Sequence, residues 1–334
     1  MDSDLPYDAP AAGYDPEAVR FFDVAHEGAQ IRAIAEAASD QGILSTLRGI
    51  QPRSVVVVAP ASEAQACARL ACALRSPLRV PVVISDVLPA YVGALDVVVV
   101  LCDAADDPEV AHAALSADRR GATVVIAGPA RGPIVEDFPE RALTIPALPT
   151  TASFSPLRAL VTVVSVLDLL EDAEHLCTDC LLKTAECVDE ELSSLAPDKD
   201  VSINPARQLR EQLEGARIVH TGVDHLTQTV AHVASQLLTA AGLTGGTVDQ
   251  EALPALWERE PSSQQSIFHD PFLDGPDTLL PLKVIVWGVD TTSAPNAYAV
   301  RVDGASRSAA TLDDAARLLV RALAAGVYTL PLND

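Results

Sequence analysis

Four short runs decide the fold: Ser54-Val55-Val56-Val57-Val58-Ala59, Val80-Pro81-Val82-Val83-Ile84-Ser85, Asp96-Val97-Val98-Val99-Val100-Leu101-Cys102 and Ala122-Thr123-Val124-Val125-Ile126-Ala127. Each is a continuous apolar, β-branched stretch without the alternation of a half-exposed strand. Such runs belong to strands covered on both faces. Helical stretches over 62–75 and 109–119 separate them, and a weaker run follows at 142–146. Strands alternating with helices call for a parallel sheet with right-handed crossovers.

Outward from this core, residues 153–194 carry no strand signal and predict two helices, 155–170 and 172–194, that bridge two halves. Ala196-Pro197-Asp198-Lys199-Asp200 is a turn-rich break. Beyond it the theme returns more loosely: strands at 217–220, 282–287 and 298–302, a helix over 226–241 with Leu226, Val230, Val233 and Leu237 on its apolar face, and a closing helix over 312–325. Residues 244–281 are rich in Pro, Ser and Asp and give no clear element. A chain of 334 residues suits two α/β domains of roughly 150 residues each.

Acidic residues number 46 against 23 basic ones, a net charge of −23. Such a surface repels phosphate backbones and anionic lipid, so neither nucleic acid nor membrane is an expected partner. The longest apolar stretch, 157–170, is interrupted by Arg158 and Asp168 and falls short of the ~20 residues that span a bilayer. The first residues, MDSDLPYDAPAAGYDPE, are acidic, lack a signal-peptide pattern and read as a flexible leader, so the expected location is the cytoplasm. Six cysteines are too few for a disulfide framework and are read as reduced. Only Lys183, Lys199 and Lys283 could serve as a lysine base.

In such sheets ligands sit at the carboxyl ends of strands, beside helix N-termini. The loop Ala59-Pro60-Ala61-Ser62-Glu63-Ala64 has no glycine, which a dinucleotide's pyrophosphate requires, and no Walker loop occurs anywhere; no cofactor is expected. In the loop Cys102-Asp103-Ala104-Ala105-Asp106-Asp107-Pro108-Glu109, Asp107 reads as an N-cap followed by proline at the first helical position. A carboxylate ~4 Å from an incoming phosphate charge opposes binding by about 4 kcal/mol at an effective dielectric of ~20. His175, Cys177, Cys180 and Cys187 form a cluster with one Cys-x-x-Cys pair, but the pair sits in a helical, leucine-rich stretch rather than on turns, so no metal site is expected. His225, Gln228, His232, Gln236 and Thr239 form one stripe of the 226–241 helix, either a solvated face or a pocket wall.

The run Pro81-Val82-Val83-Ile84 with Leu88-Pro89-Ala90-Tyr91-Val92-Gly93-Ala94-Leu95-Asp96-Val97-Val98 resembles the sugar-isomerase (SIS) domain of bifunctional phosphoglucose/phosphomannose isomerases. Asn204-Pro205-Ala206-Arg207-Gln208-Leu209 with Leu213-Glu214-Gly215 is similar to the segment before that family's second SIS domain, and Ser235-Gln236-Leu237 and Val327-Tyr328 also fit. The resemblance implies an α/β fold of two SIS domains, each a five-stranded parallel sheet sandwiched by helices in three layers, and a homodimer. It implies an aldose–ketose isomerase, which needs a base, a ring-opening acid and a cation facing the enediolate. Here Thr239 stands at the base's position, Pro254 falls in the segment of the ring-opening histidine, and Thr151 replaces the arginine. No lysine follows Lys283 to supply the family's late lysine. The phosphate-binding serine/threonine loop is matched by the Cys102–Glu109 turn.

The expected organisation is a leader over 1–18, an N-terminal SIS domain over 19–152, a helical linker over 153–200 and a C-terminal SIS-like domain over 201–334. The expected function is that of an isomerase-family protein without the family's catalytic and phosphate-binding residues, a phosphosugar or related carbohydrate remaining its possible ligand. The residues placed to touch such a ligand are Ser62, Cys102, Asp103, Asp107, His225 and Gln236. Two alternatives stand beside it: an active isomerase with a rearranged site built from Asp103, Asp107, His225 or Glu251, and a structural or regulatory subunit of an active isomerase.

Overall fold

The structure is a computed structural model that describes residues 15–104, 106–171, 178–258, 280–304 and 311–328. The first sheet holds five parallel strands, β1 (Ser54–Val58), β2 (Val82–Ser85), β3 (Asp96–Leu101), β4 (Thr123–Gly128) and β5 (Leu143–Pro146), in the order β2-β1-β3-β4-β5. The second holds β6 (Arg217–Gly222), β7 (Gly245–Thr247), β8 (Leu282–Trp287) and β9 (Ala297–Val300), ordered β7-β6-β8-β9 and likewise parallel. Four strands, not the five implied by the resemblance, make up this sheet among the described residues. The short β7 falls in the stretch that gave no sequence signal, because two of its three residues, Gly245 and Gly246, have no side chain to announce a strand.

Eleven helices complete the described chain. α1 (Pro16–Val24) and α2 (Glu27–Ala38) precede the first sheet. α3 (Ser62–Leu74), α4 (Pro108–Arg119) and α5 (Pro133–Glu136) lie within it in sequence. α6 (Pro156–Leu170), α7 (Thr178–Ser194) and α8 (Pro205–Leu213) stand between the sheets, and α9 (His225–Ala240), α10 (Leu253–Glu258) and α11 (Leu312–Val327) accompany the second. α1 begins inside the span read as a leader: Asp15 caps it, accepting the Glu17 N–H at 2.9 Å, with Pro16 in its first turn.

The valine runs divide by parity. Val55, Val57, Val97 and Val99 face one core, while Val56, Val58, Val98 and Val100 face another beneath α4. The first of these cores continues through α2, α3, α6, α9 and α11 to Ile218, Ile285 and Trp287 of the second sheet, so both sheets share one apolar interior. At its centre α6 is buried at every residue from Pro156 to Leu169. Its two charged residues are each matched by an opposite charge: Asp168 takes a bidentate Arg75 at 2.5 and 2.8 Å, and Arg158 pairs with Asp103. A buried ion needs such a partner, since an unpaired one costs several kcal/mol. On the far side, buried Glu191 of α7 takes both Arg317 and Arg321 of α11.

The start of α6 is held by Glu27 of α2. Its carboxylate accepts the Ser155 hydroxyl and the Leu157 N–H, both at 3.0 Å, at the positive end of the helix. Burial nevertheless raises the Glu27 carboxyl to about 7, against the lowering influence of Ser155, Leu157 and Arg158.

In each sheet the strand order reverses beside the first strand, at β1/β3 and at β6/β8, and a crevice is expected at the carboxyl ends there. The second crevice is filled by its own helix. A Cβ on Gly222 would lie 2.1 Å from the Gln228 nitrogen, and one on Gly288, at φ +80°, would lie 2.4 Å from the Thr227 methyl. Gln228 also accepts the Gly222 N–H at 2.7 Å and donates to the Val248 carbonyl at 3.2 Å.

Two stability measurements check this packing. Gly222→Ala forces α9 away from β6 and lowers urea-unfolding stability by about 2 kcal/mol or more, whereas Gly93→Ala, with open space around it, leaves stability nearly unchanged. Because the folded Glu27 carboxyl titrates above its unfolded value, its favourable contribution is complete below about pH 4.5 and is lost as pH rises through about 7. Glu27→Gln therefore removes a pH-dependent loss of about 3 kcal/mol across that window, seen as a flatter stability–pH curve than the parent protein gives.

Candidate functional site

The open crevice lies at β1/β3, where a cavity of about 270 Å³ is lined by Pro60, Ala61, Glu63, Cys102, Asp103 and Asp107, with Phe154 at its edge. The first loop enters α3 through Ala61, a cap with no side-chain hydrogen bond, and is braced by Gln65, which donates to the Ala59 carbonyl at 3.0 Å. Ser62 is exposed and donates to the neighbouring Glu63 carboxylate at 3.2 Å. Across the crevice, Asp107 accepts the N–H groups of Glu109 and Val110 at 3.0 and 3.4 Å, the N-cap its sequence position announced. The positive end of α4, the usual seat for an anion, is thereby occupied by the chain's own carboxylate.

Beneath the second loop lies Arg158. From the first turn of α6 it donates to the Gly128 carbonyl at 2.9 Å and the Cys102 carbonyl at 3.4 Å, at the ends of β4 and β3, and to the Asp103 carboxylate. Its side chain is 3% exposed against 21% for Asp103. Asp103 lines the cavity and Arg158 does not, so the guanidinium sits behind the carboxylate that neutralises it. Burial pulls Arg158 down to about 10, still protonated at neutral pH. Sequence reasoning missed this cation, registering Arg158 only as an interruption in an apolar run. That interruption was itself the signal, because a charge in a helix buried on all sides requires a partner.

The chemistry open to these groups is narrow. Burial, followed by Asp107, pushes the Cys102 thiol up to about 11, and it donates to the Ala104 carbonyl at 3.1 Å; it is a neutral thiol, not a thiolate nucleophile. No histidine or lysine lines the cavity among the described residues. Glu27 has the near-neutral pKa of a general base, but it is buried under Ser155 and Leu157 and does not line the cavity.

Through Glu63 and Phe154 the crevice adjoins a larger groove of about 1140 Å³, walled by Val19 and Phe22 of α1, Leu237 and Ala240 of α9, and Leu323 of α11. The remaining sequence-derived positions do not converge on either space. Thr151 is tied into the fold, accepting from Gln30 at 3.1 Å and donating to the Leu148 carbonyl at 3.0 Å. Thr239 and Pro254 are exposed, and Gln236 is half-buried on α9. His225 opens α9, fourteen residues before Thr239 and so about 21 Å away along the axis at 1.5 Å per residue. It lines a separate cavity with His232 and Gln228. Glu251 is exposed in a short 3-10 turn. Of the cysteine cluster, His175 and Cys177 lie outside the described residues, Cys180 and Cys187 are half-buried on α7, and no metal-binding group of three ligands occurs among the described residues.

No protein-family model matches the chain, and no curated protein matches it in sequence. Solved structures do match its fold. The tagatose-6-phosphate ketose/aldose isomerase of Escherichia coli superposes with a TM-score of 0.59 at 13% identity, over 96% of this chain and 93% of that one. The C-terminal domain of glucosamine-fructose-6-phosphate aminotransferase from Francisella tularensis gives 0.58 at 10% identity, over 96% and 97%. A candidate phosphosugar isomerase from Clostridium difficile 630 gives 0.60 at 11%, over 91% of each chain. The two parallel sheets with their flanking helices have the fold of two SIS domains.

Proposed function

We propose that this protein is a phosphosugar isomerase-like protein of the SIS fold whose sugar crevice no longer carries isomerase chemistry and serves binding instead. The observation that carries the reading is the Asp103–Arg158 pair, an ion pair internal to the chain at the place where the fold offers its ligand site. The crevice also presents Glu63 and Asp107, and each carboxylate within ~4 Å of a phosphate would oppose it by about 4 kcal/mol. The described lining holds no histidine, lysine or arginine to open a sugar ring or face an enediolate, which supports the reading, since losing one general acid or base commonly costs about 10²–10⁴ in rate.

The adjoining apolar groove, with Val19 and Phe22 exposed on it, supports a binding role for the same face. A carbohydrate derivative poor in negative charge fits the crevice better than the phosphosugars named for its structural neighbours. A cytoplasmic homodimer remains the assembly this reading carries. The rearranged-enzyme alternative is disfavoured by the separation of His225 from Asp103 and Asp107 into different cavities.

Coupled assays with glucose 6-phosphate and mannose 6-phosphate test the proposal. Pure protein is expected to give no turnover above background, and a rate near ~1 s⁻¹, ordinary for an enzyme, would overturn it. A thermal-shift panel of phosphosugars is expected to show no stabilisation, where a ligand at a hundredfold excess over Kd would add about 2.7 kcal/mol.

A further inference from the structure

We propose that the cavity between α3 and α9 is a second ligand site, independent of the sugar crevice, that takes a small organic anion with an apolar body. The cavity is about 630 Å³, within the range of small-molecule sites. Its apolar surface comes from Ala73, Leu78, Val82 and Ile84, on and between α3 and β2. Its polar wall includes one guanidinium and two imidazoles, Arg69 of α3 and His225 and His232 of α9, beside the Gln228 amide, which is already bonded to Gly222 and Val248. The two histidines are seven residues apart, two helical turns, and so share one face.

The guanidinium and the two imidazoles are uncommitted. Arg69 makes one hydrogen bond, to the Gln65 amide oxygen at 3.2 Å, and has no carboxylate within ion-pair distance among the described residues. Arg75, at the C-cap of the same helix, is by contrast paired with Asp168. The imidazole rings of His225 and His232 make no hydrogen bond among the described residues, although His232 is half-buried. Burial first, and then the charge of Arg69, lowers the His232 pKa, which places that imidazole in the field of the guanidinium. An anion seated between them would satisfy both groups and favour protonated imidazole.

The titratable groups facing the space are Arg69 and Cys72 from α3, His225 and His232 from α9, and Asp249 from the loop after β7; β2 adds only apolar side chains. One carboxylate against a guanidinium and two imidazoles is the reverse of the β1/β3 crevice, where Glu63, Asp103 and Asp107 line the wall. A cation is not the favoured occupant, since the histidines and Asp249 form no metal-binding group.

Titration of the full chain with phenyl phosphate and with benzoate, phenol serving as the neutral control, tests the site by calorimetry and by the imidazole NMR signals. Expected are saturable binding of at least one anion with shifts of the His225 and His232 signals, and affinity that rises several-fold from pH 8 to pH 6. Arg69→Gln is expected to weaken binding about tenfold and Asp249→Asn to strengthen it several-fold; both residues are exposed, so neither change threatens the fold. Absence of saturation for both anions up to about 10 mM, far weaker than a useful site, overturns the proposal. Equal binding of phenol, or affinity indifferent to both substitutions, overturns it as well.

Discussion

A guanidinium shut away at the carboxyl ends of β3 and β4 must be neutralised, and here Asp103 neutralises it. The other features of the crevice are arranged around that pair. Arg158 can be buried because two strand-end carbonyls and one carboxylate take its donors, and α6 can then run through the centre of the molecule as an almost wholly apolar rod. The same carboxylate stands between the cation and the cavity. A fold whose structural neighbours include phosphosugar enzymes thus keeps a positive charge near the crevice but turns it inward, leaving carboxylates to face whatever enters.

The two crevices of the fold have different fates for steric reasons. At β6/β8, Gly222 and Gly288 let α9 settle directly against the strand ends, and Thr227 and Gln228 fill the space a ligand would need. At β1/β3, the loop through Pro60 and Ala61 stays clear of the second loop and a cavity remains. Between the sheets, α3 and α9 pack together, and the apolar groove and the Arg69/His225/His232 cavity lie at opposite ends of α9. The helix stripe that looked like one polar face in the sequence therefore serves different surroundings along its length.

The fold was legible because its strands are runs of valine and isoleucine whose burial on both faces leaves a direct imprint on composition. Two of the segments that suggested the SIS resemblance, around Asn204 and Tyr328, are scaffold. Asn204 caps α8 by accepting the Ala206 and Arg207 N–H groups at 3.0 and 3.1 Å, and its amide lies 3.4 Å from the Tyr328 hydroxyl. Arg207 in turn stacks over the Tyr328 ring at 4.1 Å. Such residues report architecture and carry no information about chemistry. The crevice was half legible: the acidic cap at Asp107 followed from local spacing, but Arg158 meets Asp103 across 55 residues of chain, and no local pattern joins them. The α3–α9 cavity was half legible as well: a pocket wall was one reading of the stripe holding His225, Gln228 and His232, but Arg69 comes to face it only through helix packing.

The central claim is that Asp103 holds the place an anion would take beside Arg158. Calorimetric titration of inorganic phosphate into the parent protein, Asp103→Ala and the Asp103→Ala/Arg158→Met double variant addresses it most directly. The account predicts that Asp103→Ala gains a millimolar phosphate site, on the order of −4 kcal/mol, at the Cys102–Glu109 turn that the parent lacks and the double variant loses. Phosphate binding at the Cys102–Glu109 turn of the parent as tight as in Asp103→Ala would contradict it.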